Sequence, residues 1–340
     1  MRRHHRHHRR PTAPVILGIL AGVAAVYVAV LFGINAIGNR LERGDAAEPV
    51  GSLEDRFVTD ELTLEAQGRT WTYRSGLTNL LFIGVDWDAA RLETADSRYE
   101  GQADFLLLVS LDRENRTATS IQIDRDTLAD IRVYGAFGDY AGTRRTQICL
   151  SYAFGDTAEA GCENTAWAVS RLMGGIPIDA CLAMDMEGIA ALNEALGGVT
   201  VTLEDDFSSI DPQMTQGATI TLQGDQAELF VRGRMGVSDG TNQSRMRRQN
   251  AFLTAALDEL TEGMAEDMNY VSELLDALSP YLTTDVDRGW LINRAYESRE
   301  YARSDIRQIA GSHAVGEDGF VEFTADAEAL NDLLVEVFFE

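Results

Sequence analysis

The chain is 340 residues long and carries 29 basic side chains, all of them arginine, against 54 acidic ones. Six arginines lie within the first 40 residues, and every acidic residue lies beyond them, so the rest of the chain holds 23 arginines and all 54 acids. A field this negative excludes general binding of nucleic acid or anionic lipid, and an anionic ligand therefore requires a locally positive pocket.

The N-terminal segment is predicted to anchor the chain in a membrane. No charged residue occurs between Arg10 and Arg40, and residues 15–37 are almost wholly apolar. At about 1.5 Å per residue they reach roughly 35 Å, enough for a single transmembrane helix. The positive-inside rule then places the basic residues 1–14 in the cytoplasm and the rest of the chain outside the cell. A cleaved signal peptide is the alternative, although its apolar region is usually only about 7 to 15 residues long.

Residues 38–74 are polar and acidic and are predicted to form an extracellular stalk, followed by one domain at residues 75–340. Short apolar runs in this domain predict buried strands, and helical spacing of apolar residues predicts helices. In chain order the predicted elements are strands at 79–85, 105–111 and 118–124, a helix at 165–173, a strand at 180–184, a helix at 186–196, strands at 199–203 and 219–222, helices at 225–231, 244–260, 271–278 and 288–301, a strand at 305–310 and a helix at 325–338. Because strands and helices alternate with short connections, we predict a single α/β domain.

Three cysteines lie on the predicted extracellular side, where disulfides persist. We expect a bridge between Cys149 and Cys162, with Cys181 buried and unpaired in an apolar run. Three free thiols are the alternative. No histidine is near them, which makes a zinc site a poor interpretation.

Two aspartates lie at the ends of predicted strands. Asp86 follows an apolar run and Asp104 precedes the next, so both are expected at one edge of the sheet. Carboxylates in such a place are natural ligands of Mg²⁺, which prefers oxygen donors and also binds substrate phosphates. The alternative is that each aspartate merely caps a strand.

Arg125 follows the third predicted strand, between two aspartates. Guanidinium groups present fixed forks of donors that match phosphate oxygens, so this arginine is a candidate phosphate ligand. A salt bridge to Asp124 or Asp126 is an equally good interpretation.

A second basic cluster predicts anion binding more strongly. Arg232 and Arg234 are one residue apart, and Arg245 and Gln249, four residues apart, share one face of a predicted helix. Arg245 lies in the first turn of that helix, where a cation opposes the helix dipole. Positive charge at an already positive helix end is reasonable when an anion binds there. A solvated basic face is the alternative.

Other catalytic motifs are absent or incomplete. The segment Gly-Val-Ser-Asp-Gly at 236–240 has the spacing of a nucleophile elbow, but it lacks the apolar strand before the serine and the helix directly after it. His313, the only histidine beyond the N-terminal tail, lies in a predicted polar turn. These features argue against a serine hydrolase, and the lack of a Walker A loop or a Gly-x-Gly-x-x-Gly fingerprint argues against ordinary nucleotide binding.

Seven short motifs follow one another along residues 79–260. They are Asn-Leu-Leu-Phe-Ile-Gly-Val-Asp at 79–86, Gln-Ala-Asp-Phe at 102–105, Ile-Asp-Arg-Asp-Thr at 123–127, Gly-Ile-Pro-Ile-Asp at 175–179, Ala-Leu-Gly-Gly-Val at 195–199, Phe-Val-Arg-Gly-Arg at 230–234 and Arg-Met-Arg-Arg-Gln at 245–249. In this order, and after an apolar N-terminal segment, they resemble the LytR-CpsA-Psr family. Residues 261–340 are then a C-terminal extension.

The resemblance implies an α/β domain with a central mixed β-sheet flanked by helices, a hydrophobic lipid pocket and one N-terminal transmembrane helix. It implies a phosphotransferase of the bacterial cell membrane that moves an anionic glycopolymer, such as teichoic acid or capsule, from a polyprenyl-pyrophosphate carrier to peptidoglycan with Mg²⁺ or Mn²⁺. The expected metal ligands are Asp86 and Asp104. The expected pyrophosphate ligands are Arg125, Arg232, Arg234, Arg245 and Gln249, and the expected catalytic residues are Asp86, Arg125, Arg232 and Arg234.

Three positions depart from the family pattern. Gln102 and Gln147 stand where a basic residue is usual or frequent, and Asp124 replaces a common proline. The two missing charges motivate an alternative function, a non-catalytic module that binds polyprenyl pyrophosphate or wall glycan and regulates envelope assembly. Hydrolysis of the donor by water is a third possibility.

Overall fold

The computed structural model describes residues 62–86, 101–135, 138–233, 237 and 241–340. The two longest strands, of 10 and 11 residues, pair with each other in the central sheet, and the others are shorter. In chain order the strands are β1 (Thr63–Ala66), β2 (Arg69–Thr72), β3 (Leu77–Asp86), β4 (Gln102–Asp112), β5 (Thr117–Ile123), β6 (Leu128–Tyr134), β7 (Tyr140–Gln147), β8 (Ala180–Asp185), β9 (Thr200–Thr202), β10 (Thr219–Thr221), β11 (Leu282–Thr284), β12 (Ala302–Arg303), β13 (Arg307–Gln308), β14 (Gly311–Val315) and β15 (Val321–Ala325).

Seven of these strands form the central sheet, in the order β11-β8-β3-β4-β5-β12, with β13 also pairing with β5. β3 runs parallel to β8 and antiparallel to β4, so the sheet is mixed, as expected. Side chains alternate between the two faces: Leu80 and Phe82 belong to one hydrophobic cluster, the front cluster, and Leu81 and Ile83 to the other, the back cluster. Both faces are buried, which explains the continuous apolar runs in these strands.

Helices cover both faces of the sheet, and the predicted α/β class is confirmed. They are α1 (Leu150–Ala153), α2 (Ala158–Leu172), α3 (Glu187–Ala195), α4 (Gln226–Arg232), α5 (Asn242–Glu266), α6 (Tyr270–Leu278), α7 (Arg288–Ser298) and α8 (Ala327–Phe338). Helices α3 to α7 contribute to the front cluster, for example through Leu192, Phe230 and Phe252. Helices α2 and α8 contribute to the back cluster, for example through Val169 and Phe338.

Part of the predicted stalk belongs to the folded domain. β1 and β2 form a hairpin, and Trp71 and Tyr73 pack against the back cluster. The backbone of Thr72 exchanges two hydrogen bonds with Glu340, of 2.9 and 2.8 Å. The boundary predicted after residue 74 therefore falls inside the domain, which is already folded at residue 63.

The predicted transmembrane segment at residues 15–37 lies outside the described residues. Within the described part of the chain, no helix combines the length and the hydropathy needed to cross a bilayer.

All three cysteines are buried free thiols, so the predicted bridge between Cys149 and Cys162 is wrong for this structure. The reason is that the two side chains have different neighbours. Cys149 Sγ accepts a hydrogen bond from Arg125 Nη2 at 3.5 Å, whereas Cys162 lies beside Cys181, whose thiol donates to the Cys162 carbonyl oxygen at 3.6 Å. Cys181 is buried and unpaired, as predicted.

Candidate active site

A β-bulge lies at Asp104, near the start of β4. Gly84 and Val85 are consecutive in β3, but their partners in β4 are Phe105 and Ala103, so Asp104 is an extra residue in the pairing. A bulge of this kind turns a side chain away from the ordinary alternation of a strand. A Cβ atom on Gly84 would lie 2.9 Å from Phe105 Cβ, so the close approach of the two strands at this point requires glycine.

Two arginines bind the carboxylate of Asp104. Arg125 Nη1 donates to Oδ1, and Arg245 Nη1 donates to Oδ2 at 2.9 Å. All three side chains are well buried: Arg245 is 4% exposed, Asp104 12% and Arg125 16%. Because a buried charge without a partner is costly, Asp104 stabilises two guanidinium groups that an anionic ligand would otherwise have to neutralise.

Arg125 is held by two further contacts, one with the start of β4 and one with the residue that follows it in the chain. Its Nη2 donates to Gln102 Oε1 at 2.5 Å, and its Nε lies 3.3 Å from Asp126 Oδ1. Gln102 itself lies opposite Asp86 in the strand register. The neutral Gln102, at a position where the resemblance predicts a basic residue, therefore orients Arg125 without adding charge.

Arg232 lies at the C-terminal end of α4 and joins this helix to the end of β3. Its Nη2 donates to Asp86 Oδ1 at 2.8 Å, and its Nη1 donates to Glu228 one turn earlier in the helix. The side chain is 40% exposed and so remains accessible to a ligand. Arg234 lies outside the described residues, and its role stays a prediction.

Arg248, a member of the second basic cluster, has a structural role. It is 4% exposed, forms an ion pair with Asp205 at 2.5 Å, and donates to the carbonyl oxygens of Phe230 and Gly233. These contacts attach the end of α4 to α5 and thereby place Arg232.

Gln249 accepts a weak hydrogen bond from Gln122 Nε2 at 3.3 Å.

An apolar cavity of about 730 Å³, its open mouth included, lies on the front face of the sheet. Its apolar wall is formed by Phe82, Phe105, Leu182, Met184, Met186, Ile189, Leu192, Val231, Phe252 and Leu253, and Ile83 and Gly84 of β3 also border it. Its charged and amide-bearing lining consists of Asp104, Asp185, Arg232, Arg245 and Gln249. Four predicted site residues thus line this cavity. The two others that the structure describes do not line it but contact residues that do: Asp86 contacts Arg232, and Arg125 contacts Asp104.

Sequence reasoning missed three polar residues around this cluster. Asn242 Oδ1 accepts from Arg245 Nη2 at 2.6 Å, and His313 Nε2 lies 2.8 Å from Asp124 Oδ2. Asp185 lines the cavity, and burial raises the pKa of its carboxyl group above the ordinary value, an effect that the Gly188 N–H opposes. Only Asn242, three residues before Arg245, had a position in the sequence that could have suggested a role.

The residues present fit a divalent cation only together with a phosphate ligand. Among the described residues, no group of three or more histidine, cysteine, aspartate or glutamate side chains gathers at one point. Asp86 and Asp104 supply two carboxylates, each already bound to arginine. Mg²⁺ usually takes one or two protein carboxylates and completes its shell with substrate phosphates and water. Two carboxylates therefore match in number what a metal that arrives with a phosphorylated substrate takes from a protein.

The fold and the site define an α/β domain with two arginines in the lining of an apolar cavity. The sequence model of the LytR_cpsA_psr family matches residues 54–336, and the chain belongs to this family.

Two curated relatives illustrate the kinship. The cell wall biosynthesis protein LcpA of Corynebacterium glutamicum is 25% identical over 307 residues, which are 82% of this chain and 54% of LcpA. TagV of Bacillus subtilis, named a polyisoprenyl-teichoic acid–peptidoglycan teichoic acid transferase, is 25% identical over 261 residues, which are 74% of this chain and 61% of TagV. The chain thus spans little more than half the length of these relatives.

The crystal structure of B. subtilis TagV has a similar fold. Its TM-score is 0.56 at 23% sequence identity, and the match covers 77% of this chain and 97% of the TagV structure. At this identity the likeness shows the fold alone.

Proposed function

We propose that this protein is a membrane-anchored phosphotransferase that moves an anionic glycopolymer from a polyprenyl-pyrophosphate carrier to peptidoglycan. The observation that carries the proposal is that Asp104, Arg232 and Arg245 line one apolar cavity. Membership of the family and the transferase name of a relative support the classes of donor and acceptor.

The proposed donor is amphipathic, and so is the cavity. The apolar wall suits the first isoprene units of the lipid, and the guanidinium groups of Arg232 and Arg245 suit the pyrophosphate. Arg125 reaches the same place through Asp104. Phosphate oxygens would take over the hydrogen bonds that Asp104 accepts, and the amide of Gln249 adds a donor at the cavity mouth.

In the proposed reaction a hydroxyl group of the acceptor attacks the phosphorus atom nearest the glycan. A new oxygen–phosphorus bond forms, the bond from that phosphorus to the bridging oxygen breaks, and polyprenyl phosphate leaves with the electron pair. The hydroxyl proton is lost to solvent. Negative charge grows on the bridging oxygen, so the arginines would stabilise the transition state by electrostatics and positioning.

Mg²⁺ or Mn²⁺ is part of the proposal. Asp86 and Asp104 would hold the ion together with phosphate oxygens of the donor, and the ion would neutralise further charge on the pyrophosphate. The location is also proposed: residues 15–37 would anchor the chain in the bacterial cell membrane, with the N-terminus in the cytoplasm and the domain outside, next to a lipid-linked donor.

The test is release of polyprenyl phosphate from a polyprenyl-pyrophosphate-linked glycan by the full-length protein in detergent, with Mg²⁺ and peptidoglycan. Arg232→Ala is expected to lower turnover on the order of 100-fold, because it removes a guanidinium group from the cavity mouth. Arg247→Ala is the matched control, since this arginine is 53% exposed and is not part of the cavity lining.

Three results would redirect the proposal. A wild-type protein that neither releases polyprenyl phosphate nor binds the donor would refute it. Tight binding without turnover would establish the non-catalytic regulator, and equal turnover with and without peptidoglycan would establish hydrolysis.

A further inference from the structure

The C-terminal hairpin β14–β15 supports the segment that carries Arg125, although the hairpin lies outside the family motifs. Phe323 N donates to the Asp126 carbonyl oxygen at 2.8 Å, and Phe323 forms an isolated parallel bridge with Thr127. Gln147 Nε2, at the end of β7, donates to the Val321 carbonyl oxygen at 2.8 Å. The hairpin is therefore attached to both the Arg125 segment and β7.

Asp124 connects this hairpin to the candidate site. Its side chain is 6% exposed, and both carboxylate oxygens have partners. Oδ2 lies 2.8 Å from His313 Nε2 of β14. Oδ1 accepts from Asn242 Nδ2 at 2.8 Å and from Asp126 N at 2.9 Å. The carboxylate is thus fixed from the hairpin, from its own segment and from the first residue of α5.

Asn242 passes this constraint on to an arginine of the cavity. Because its amide nitrogen donates to Asp124, its amide oxygen faces Arg245 and accepts from Nη2 at 2.6 Å. The reverse orientation of the amide would place two donors against each other at Arg245 and two acceptors against each other at Asp124. The same guanidinium group donates to Asp104 through Nη1. Asp124 therefore determines that the oxygen of the Asn242 amide, and not its nitrogen, faces Arg245.

We propose that His313 is a positioning residue of this site, holding the guanidinium group of Arg245 in place through Asp124 and Asn242. His313 does not line the cavity. It contacts Asp124, and Asp124 is linked to Arg245 by two hydrogen bonds through Asn242. Two positions that depart from the family pattern, Asp124 and Gln147, both contact the hairpin. The proposal rests on the proposed function only for the choice of a pyrophosphate as ligand.

A purely structural role for His313 has a different signature. Its ring also packs on Phe323, with centroids 4.8 Å apart, so removing the ring disturbs the hairpin whatever happens to Asp124. His313→Gln separates the two roles, because the glutamine amide can donate from near the position of Nε2 but cannot replace the ring packing. A positioning role predicts that glutamine preserves ligand affinity, and a packing role predicts that it does not.

The experiment measures binding of farnesyl pyrophosphate with Mg²⁺ to the full-length chain in detergent, by isothermal titration calorimetry. His313→Ala is expected to weaken binding about tenfold, as loss of one hydrogen bond to a charged group does, and His313→Gln to stay within about threefold of wild type. Asn242→Ala is expected to weaken binding by a similar factor. In the double variant the two losses should not multiply, because both variants break one chain of contacts. Ser312→Ala, an exposed neighbour on β14, is the matched control.

The possible outcomes are distinct. Multiplying losses in the double variant, unchanged affinity of His313→Ala, or equal losses for His313→Ala and His313→Gln would each overturn the positioning role while the proposed function stands. Absence of binding by the wild type would overturn the proposed function and this proposal together. Melting temperatures of all variants show that each one is folded.

Discussion

Asp104 keeps two guanidinium groups buried next to a cavity. Without it, Arg125 and Arg245 would repel each other, and at 16% and 4% exposure they would have little water to compensate. The β-bulge makes this possible because it frees Asp104 from the alternation of β4. An anion that bound at this point would replace Asp104 as the partner of arginines that are already desolvated.

The carboxyl group of Asp185 should make stability depend on pH. Burial raises its pKa, so the folded state holds this proton at a pH where the unfolded chain has lost it. The cost of ionising Asp185 in the folded protein is absent below the ordinary pKa of aspartate and complete above the raised pKa. Asp185→Asn should therefore gain stability relative to wild type as pH rises through this window. Urea unfolding at several pH values measures this, with Glu194→Gln, at an exposed position of α3, as a control for the change in net charge.

Single residues of the site were predictable only where sequence motifs contain them. Asp86, Asp104, Arg232 and Arg245 stand in motifs. In the structure the last three line one cavity, and Asp86 contacts Arg232. His313 and its partner Asp124 are separated by 189 positions, and Asn242 and Asp124 by 118. No local pattern records pairings over such distances.

At the scale of elements, the joint between α4 and α5 depends on Arg248. Arg248→Met should destabilise the fold by about 3 kcal/mol, because it leaves the carboxylate of Asp205 buried without its partner. Arg247→Met, the neighbouring and 53% exposed position, should change the free energy of unfolding by less than about 0.5 kcal/mol. Denaturant unfolding compares the two. Equal losses would mean that the ion pair does not secure the joint.

Elements were easiest to predict where a continuous apolar pattern marks them. The strands β3, β4 and β8 are apolar runs because both faces of the sheet are covered. The strand predicted at 305–310 contains the short β13, which pairs with β5. All five residues of β14 are exposed, so no apolar run marks the hairpin that follows. Helix α2 begins seven residues before its predicted start at 165, because Thr157 caps it by accepting from Ala160 N at 3.2 Å, ahead of the apolar residues.

At the scale of the whole molecule, the last helix closes the back cluster. Phe338 in α8 is fully buried, so Phe338→Ala should cost about 3 to 5 kcal/mol of stability by leaving a cavity. Phe320→Ala is the control, since this side chain is 65% exposed and its removal should have little effect. The difference between the two variants in chemical denaturation measures how much α8 contributes to the domain.

The paired backbones of Thr72 and Glu340 have a topological consequence. The two segments exchange hydrogen bonds, and Tyr73 N donates to the Leu62 carbonyl oxygen at 2.8 Å, so Leu62 and Glu340 flank the same segment. A short linker could join Leu62 to Glu340 while the chain is opened elsewhere, for instance beside the 78% exposed Met268 between α5 and α6. The domain is thus suited to circular permutation, with its core and the arginine-lined cavity unchanged.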